Sequence, residues 1–443
     1  MSSTDQSLPV VTHPPKWKGP SSRLLTTWRV LKSPFRSYKT WRELYGDTIR
    51  IPALNGDVTA SCDLDFVKDF IKLTSEEHIP FGMDAATPVF GNGSLLALRG
   101  RRHAKERKLL LPPFRGERMR TYLTLIQSAA RKHVVQWKGE ITLTDEVMPI
   151  SLDVIIQVVF GARDPERVEQ YHQLIRRFIG TFKPAFIFSK AMQMSFFGLT
   201  PWDRFVKAKR DLIHQLEKEV DERRTKELGE DILSLLLQAT YEDGQPMAVN
   251  DIVDELITLL IAGHETTQIT IAWALYWLYR NPQFLDELRQ EVEGVEDLEA
   301  LLKLPFLDGV VNETLRIDPI VPDVLRTLAI DKSIGGYTYP AGSHVAVVSA
   351  LIHTREDLYP NPSEFRPHRW VDQKPRPWTF FPFGGGSRRC IGSALALAEI
   401  KIVLIEVIRS MDLEVVEDAR SERINVVMAP HNGVKVRVKD RSI

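Results

Sequence analysis

The longest apolar run of the chain lies between Ile252 and Leu278, interrupted by Asp254, Glu255, His264 and Glu265. Those charges make a transmembrane reading poor. Asn250 or Asp251 supplies a capping side chain at its start, and Pro282 stops it after Asn281. A helix over residues 250–281 spans roughly 45 Å, enough to cross a whole domain. A second apolar helix is predicted from Ser393 to about Met411. Trp28 to Tyr45 reads as one helix ended by Gly46, and Thr48–Ala53 and Val58–Ser61 read as strands. Residues 81–98 are punctuated by Gly and Pro and read as a loop. Its apolar members Phe81, Met83, Val89, Phe90, Leu95 and Leu96 suit ordinary core under a loop. Helical patterns then continue to about Arg223. The stretch Phe178–Phe205 is rich in Phe, Met and Ile, including Phe182 and Phe186. Gly180, Pro184, Gly198 and Pro201 prevent it from being one regular helix. Short strands are expected within Thr338–Val348 and Arg423–Val438. The pattern as a whole is mainly α with a smaller β portion.

Composition narrows the picture. The 443 residues carry 58 Lys and Arg against 58 Asp and Glu, and 43% are apolar. A balanced charge argues against nucleic acid as a partner. The two cysteines, Cys62 and Cys390, exclude a disulfide framework and fit a reducing cytosol, hence a cytoplasmic location. Residues 1–22 are polar and proline-dotted, without an apolar core of signal-peptide length or a membrane anchor, and read as a flexible leader. No linker-like composition or internal repeat follows, so residues 23–443 are expected to form one domain.

Cys390 sits in Phe383-Gly-Gly-Gly-Ser-Arg388-Arg-Cys390-Ile-Gly392, at the start of the second apolar helix. Glycines let such a loop lie flat. A thiol at a helix start beside Arg388 and Arg389 is expected to ionise. It could ligate a metal, attack a substrate, or be inert; a buried inert thiol is the ordinary fate of a lone cysteine. The stretch lacks the Gly-Lys-Ser/Thr of a phosphate loop and the second and third ligands of a zinc site. A haem iron needs one thiolate and room for a flat ring, which Gly386 and Gly392 would give.

The stretch closely resembles the haem-binding loop of the cytochrome P450 family. That loop reads Phe-x-x-Gly-x-Arg-x-Cys-x-Gly, matched at Phe383, Gly386, Arg388, Cys390 and Gly392. The resemblance implies haem b, with Cys390 as iron ligand, Arg388 on a propionate and Phe383 packed near the sulfur. The haem would lie between the central helix of residues 250–281 and the helix of residues 391–411.

Three further stretches extend the resemblance over nearly the whole chain. In Gly100–Lys108, His103 and Arg107 share one helix face. Such a basic helix is usually a solvated face; by resemblance these two hold a propionate. Ala262-Gly263-His264-Glu265-Thr266-Thr267 interrupts the central helix with poor helix formers. It is no zincin motif, because Gln268 stands where the second His would be. By resemblance it is the oxygen-binding groove, with Ala262 and Gly263 facing the haem, Glu265 relaying protons and Thr266 assisting oxygen activation. Glu313-x-x-Arg316 is a common surface pair on its own. Ahead of Phe365–Trp370 it resembles the family's buried network with Arg369, while His368 departs from the usual Glu at a position outside that network. Arg326 would bind a propionate.

The implied activity is monooxygenation of a large apolar molecule, such as a fatty acid, terpenoid, steroid or polyketide, by hydroxylation or epoxidation. The implied pocket comprises Phe81, Val89, Phe90, Leu95, Phe182, Phe186, Val321, Val324, Val427 and Met428, with the stretch around Phe182 as a lid. No flavin or iron–sulfur motif follows the cysteine helix. Electrons are therefore expected from NAD(P)H through a separate ferredoxin or flavodoxin, drawn to the basic run Arg99–Lys108 of a monomer. A peroxide-driven haem enzyme would not need the Glu265–Thr266 pair. A haem sensor would need no substrate pocket, and a cysteine hydrolase would bind no haem.

Overall fold

The structure, a computed structural model, describes residues 13–54, 56–162, 164–183, 185–188, 192–371, 376–424 and 427–439. Residues 1–12 of the expected leader, together with Pro184, lie outside it. The chain is organised around the helix Val249–Arg280, 32 residues long. Neither Asn250 nor Asp251 caps it: the N-cap is Ala248, without a side-chain bond. Both residues fall in the first turn, where Asp251 still suits the helix dipole and pairs with Arg102 at 2.7 Å. From Ile269 to Leu278 this central helix is buried on almost every side, as its all-round apolar sequence requires. Leu143–Phe160, Pro201–Arg224, Pro305–Ile317 and the cysteine helix Ser393–Ser410 pack around it.

A smaller core holds the β portion. Five strands lie in the order Thr48–Ala53, Gly56–Ser61, His344–Val347, Val324–Leu328, His78–Pro80. Gly56–Ser61 and His344–Val347 pair in parallel; the other neighbours are antiparallel. Tyr38, Trp41, Phe66, Phe70 and Val345 fill the space beneath. A hairpin, Ser421–Ile424 with Val427–Pro430, lies further along the chain, and its Met428 amide donates to the Ile320 carbonyl at 2.8 Å.

Two expected elements differ. The predicted helix Trp28–Tyr45 is two helices, Arg23–Lys32 and Pro34–Tyr45. Pro34 has no amide hydrogen and forces Ser33 out of the α region. The predicted loop of residues 81–98 contains a helix, Met83–Phe90, opened by Gly82 at φ 73° and closed by Gly91 at φ 95°. Pro88 lies inside it, and that proline is why the stretch reads as irregular.

Glu313 and Arg316 are both fully buried. Arg316 forks onto Glu313 at 2.8 and 2.9 Å and reaches the His353 and Pro362 carbonyls, each at 2.8 Å. Glu313 also accepts from Arg369 Nε at 3.0 Å, the Arg366 amide at 2.9 Å and Trp370 Nε1 at 2.8 Å. His368 stands outside this network, paired with Glu287 at 3.0 Å. Trp370 is a member that the sequence pattern did not single out.

Candidate active site

The cysteine loop closes on itself, because the Cys390 amide donates to the Phe383 carbonyl at 2.9 Å. Gly386 has a left-handed φ of 64°. A Cβ there would stand 1.9 Å from the Ile71 carbonyl oxygen, and one at Gly385 would stand 2.6 Å from Ile71 Cγ2. These two glycines seat the loop on the end of helix Leu64–Lys72. The room expected beside Gly386 is therefore taken by that helix, whereas Gly392 does face open space. Gly386→Ala is expected to cost more than about 1 kcal/mol, from the left-handed φ and the backbone clash together. Thermal unfolding measures it; an unchanged Tm would mean that the loop does not depend on this contact.

Cys390 differs from expectation in its charge. Burial pushes its thiol up, outweighing the Gly392 amide bond and the charges of Arg107 and Arg389. Arg388 does not help, because its guanidinium turns to the Leu95 and Leu98 carbonyls at 2.9 and 2.5 Å. The residue as a whole is nonetheless exposed. Coordination to a metal ionises such a thiol outright.

Beside the loop, four basic side chains meet. Arg326 is 3% exposed, lies 4.4 Å over the Phe70 ring and donates to the Phe70 carbonyl at 2.7 Å. His103 and His78 are each 1% exposed. Ser75 Oγ meets His103 Nδ1 at 2.8 Å. Burial first, and mutual repulsion second, lowers Arg326 to about 9, His103 and His78 to about 3, and Arg388 to about 10. Arg326 Nε, Arg388 Nε and both ring nitrogens of His78 have no hydrogen-bond partner among the described residues. Buried cations without a counterion are costly, so the cluster suits a dianionic ligand. Arg107 diverges from His103: it bonds the Arg389 carbonyl at 2.6 Å, on the cysteine side.

On the central helix, Thr266 Oγ1 donates to the Ala262 carbonyl at 2.8 Å and Thr267 Oγ1 to the Gly263 carbonyl at 3.0 Å. Such back-bonds satisfy a hydroxyl within a helix, and the helix runs through the motif unbroken. Ala262 is exposed and Thr266 half-buried, whereas Thr267 is buried at 3%. Ala262 and Gly263, expected to face one way, do not. The bare side of Gly263 points at Ile155, where a Cβ would come within 2.8 Å of Cδ1. That glycine lets helix Leu143–Phe160 approach the central helix closely. His264 is buried, with Nδ1 2.7 Å from the Leu260 carbonyl.

A cytochrome P450 family model matches residues 19–437. The chain belongs to the cytochrome P450 family. The provisionally named cytochrome P450 138 of Mycobacterium tuberculosis is 32% identical over 444 residues, covering 98% of each chain. The provisionally named cytochrome P450 137 of the same organism is 30% identical over 404 residues, covering 89% of this chain and 83% of that one. Two solved structures share the fold: the cyanobacterial CYP120A1 bound to retinoic acid and the P450DA haem domain. The first has a TM-score of 0.85 at 23% identity, covering 96% of this chain and all of that one. The second has a TM-score of 0.83 at 22% identity, covering 98% and 99%. This P450 is a haem-thiolate monooxygenase, and the orphaned nitrogens of its buried basic cluster fit the two carboxylates of haem.

The expected pocket residues fall on four segments. Val89, Phe90 and Leu95 are core residues, and helix Met83–Phe90 touches both the central helix and the short helix Ala185–Phe188. Strand Val427–Pro430 reaches the central helix as well, with Val427 and Met428 buried. Phe186 packs against Trp202 and Phe205, with ring centroids 5.0 and 5.4 Å apart, and Phe182 lies 6.1 Å from Phe205. These two rings therefore serve the core between Pro165–Thr181 and Pro201–Arg224. Phe81 stands edge-on to His344 at 4.9 Å, beside the sheet. Val324 packs on the smaller core, and Val321 is 45% exposed. Among the described residues no helix is long and apolar enough to cross a membrane.

Proposed function

We propose that this P450 hydroxylates or epoxidises a large apolar molecule in the cytoplasm, taking electrons that originate in NAD(P)H from a ferredoxin or flavodoxin. The apolar character of the segments that converge on the central helix supports the substrate class. The exposed basic helix Gly100–Leu110 supports an acidic electron carrier. Its Arg101, Arg102 and Lys108 already pair with Glu76, Asp251 and Glu242 at 3.1, 2.7 and 2.8 Å, but such exposed pairs are weak, so a partner's carboxylates compete for them.

Cys390 would ligate the haem iron, and Arg326, Arg388 and His103 would hold its carboxylates, while Arg107, bonded to the Arg389 carbonyl, would brace the cysteine loop. Phe383, Gly392 and Ala262 would flank the ring. When bound, haem supplies dioxygen activation at a thiolate-ligated iron. The chain's own groups then handle the protons. Glu265 carries one on its carboxyl, as a positioned general acid. The Thr266 hydroxyl leaves the Ala262 carbonyl by a χ1 rotation and presents its hydrogen on the exposed Ala262 side.

The observation that carries this reading is the contrast between half-buried Thr266 and buried Thr267. Thr266→Ala is expected to retain haem and to consume reduced cofactor, while releasing severalfold more hydrogen peroxide per product. Thr267→Ala should couple like the parent, because adjacent helical residues point about 100° apart. Product and peroxide per cofactor oxidised are measured for both. Unchanged coupling in Thr266→Ala sinks the assignment, and uncoupling in Thr267→Ala alone shifts the register by one residue. Turnover as fast with added peroxide as with reduced cofactor would favour a peroxide-dependent enzyme.

A further inference from the structure

Of the groups in the buried basic cluster, His78 belongs to no motif. It lies on strand His78–Pro80, antiparallel to Val324–Leu328, with Pro80 opposite Arg326 and His78 opposite Leu328. Opposed residues share a sheet face, as do alternate residues along a strand. His78 and Arg326 therefore project to one side as diagonal neighbours. Three residues before His78, Ser75 occupies one ring nitrogen of His103 at 2.8 Å. No such partner serves His78: both of its nitrogens are buried and unbonded among the described residues. The charged and titratable groups that act on it are Arg326, Arg388, His103 and Glu77, and Glu77 is already paired with Lys332. A buried donor left unpaired is unfavourable, so the imidazole calls for an acceptor from outside the chain.

We propose that His78 is a haem-anchoring residue, donating one ring N–H to a haem propionate beside the Arg326 guanidinium. This rests on haem occupying the site as described above. Arg326 and Arg388 bring two positive charges to two propionates, so the charge is already balanced. A neutral imidazole adds a hydrogen bond without adding charge. Burial and the neighbouring arginines keep the ring neutral. His78 is a positioning residue, and its effect is read on haem retention rather than turnover.

The test compares haem transfer from the purified holoprotein to excess apomyoglobin, followed at the Soret band, for the parent, His78→Phe and His78→Gln. His78→Phe keeps the ring volume without a donor and is expected to lose haem about tenfold faster, the worth of a hydrogen bond to a charged group. His78→Gln keeps a donor and should stay close to the parent. Replacing haem by its dimethyl ester, whose carbonyls accept more weakly than carboxylates, should shrink the difference between parent and His78→Phe. Equal loss rates in parent and His78→Phe overturn the proposal, as does an equal effect of the substitution on acid and ester haem. Should His78→Phe yield no holoprotein, the propionate bending bands in the resonance Raman spectra of parent, His78→Gln and His78→Leu decide: a shift in His78→Leu that His78→Gln does not share supports the contact, and superimposable bands in all three overturn it. A parent that purifies without haem would instead sink the reading of the whole site.

Discussion

Glu313→Ala is expected to leave the protein mostly insoluble and free of haem. Glu313 accepts from Arg316 at 2.8 and 2.9 Å, from Arg369 at 3.0 Å, from the Arg366 amide at 2.9 Å and from Trp370 at 2.8 Å. Its removal strips the buried Arg316 of its carboxylate and leaves an indole N–H and an amide unpaired. Breaking a buried ion pair from one side costs about 3–5 kcal/mol, a large part of a typical folding free energy. Burial alone would push the Glu313 carboxyl up, but the bonds and charge of Arg316, with the Arg366 and Trp370 bonds, hold it below the usual value. A carboxyl lowered on folding stabilises fully above its unfolded value of about 4.3. That stability is lost as the pH falls through the folded value. The parent should therefore lose stability in acid below about pH 4, and this group contributes to that loss. Soluble yield, haem content per chain and acid unfolding are the measurements. A normal yield of haem-loaded Glu313→Ala would show that the network does not hold the fold.

Cys390→Ser is expected to abolish both monooxygenation and the long-wavelength Soret band of the reduced CO complex. The loop presents Cys390, an exposed residue, at the start of the cysteine helix, with the Gly392 amide donating to its sulfur. A hydroxyl in that place cannot supply the thiolate's electron density. Cys62→Ser is the control: Cys62 is fully buried and pushed up to about 12 by burial, then by Asp47. A thiolate-type CO spectrum from Cys390→Ser would remove Cys390 as the ligand.

Much of the architecture was legible because it rests on local rules. The central helix and the cysteine helix follow from sustained apolar runs bounded by polar or proline residues, and the observed spans agree within a few residues. The first two strands follow from alternation. The loop of residues 81–98 was misread because a proline inside a helix looks the same in sequence as a proline in a turn. The split at Ser33–Pro34 has the opposite cause, a local signal outweighed by a long helical pattern.

The sequence by itself determined the family and most of the order of the elements, and it singled out the candidates for the chemistry, because those lie in contiguous motifs at fixed spacing. Only the tertiary structure decided what those residues touch. Gly386 and Gly263 are bare because another element fills the space, Ile71 in one case and Ile155 in the other. Arg388 turns from Cys390 to two carbonyls near residue 95. Trp370 joins Glu313, and His78 joins Arg326 from the strand paired across the sheet. Each of these contacts links positions far apart in the chain or set by a single backbone angle. Spacing along the sequence says nothing of them, since burial and pairing arise only when the helices and the sheet have closed on one another.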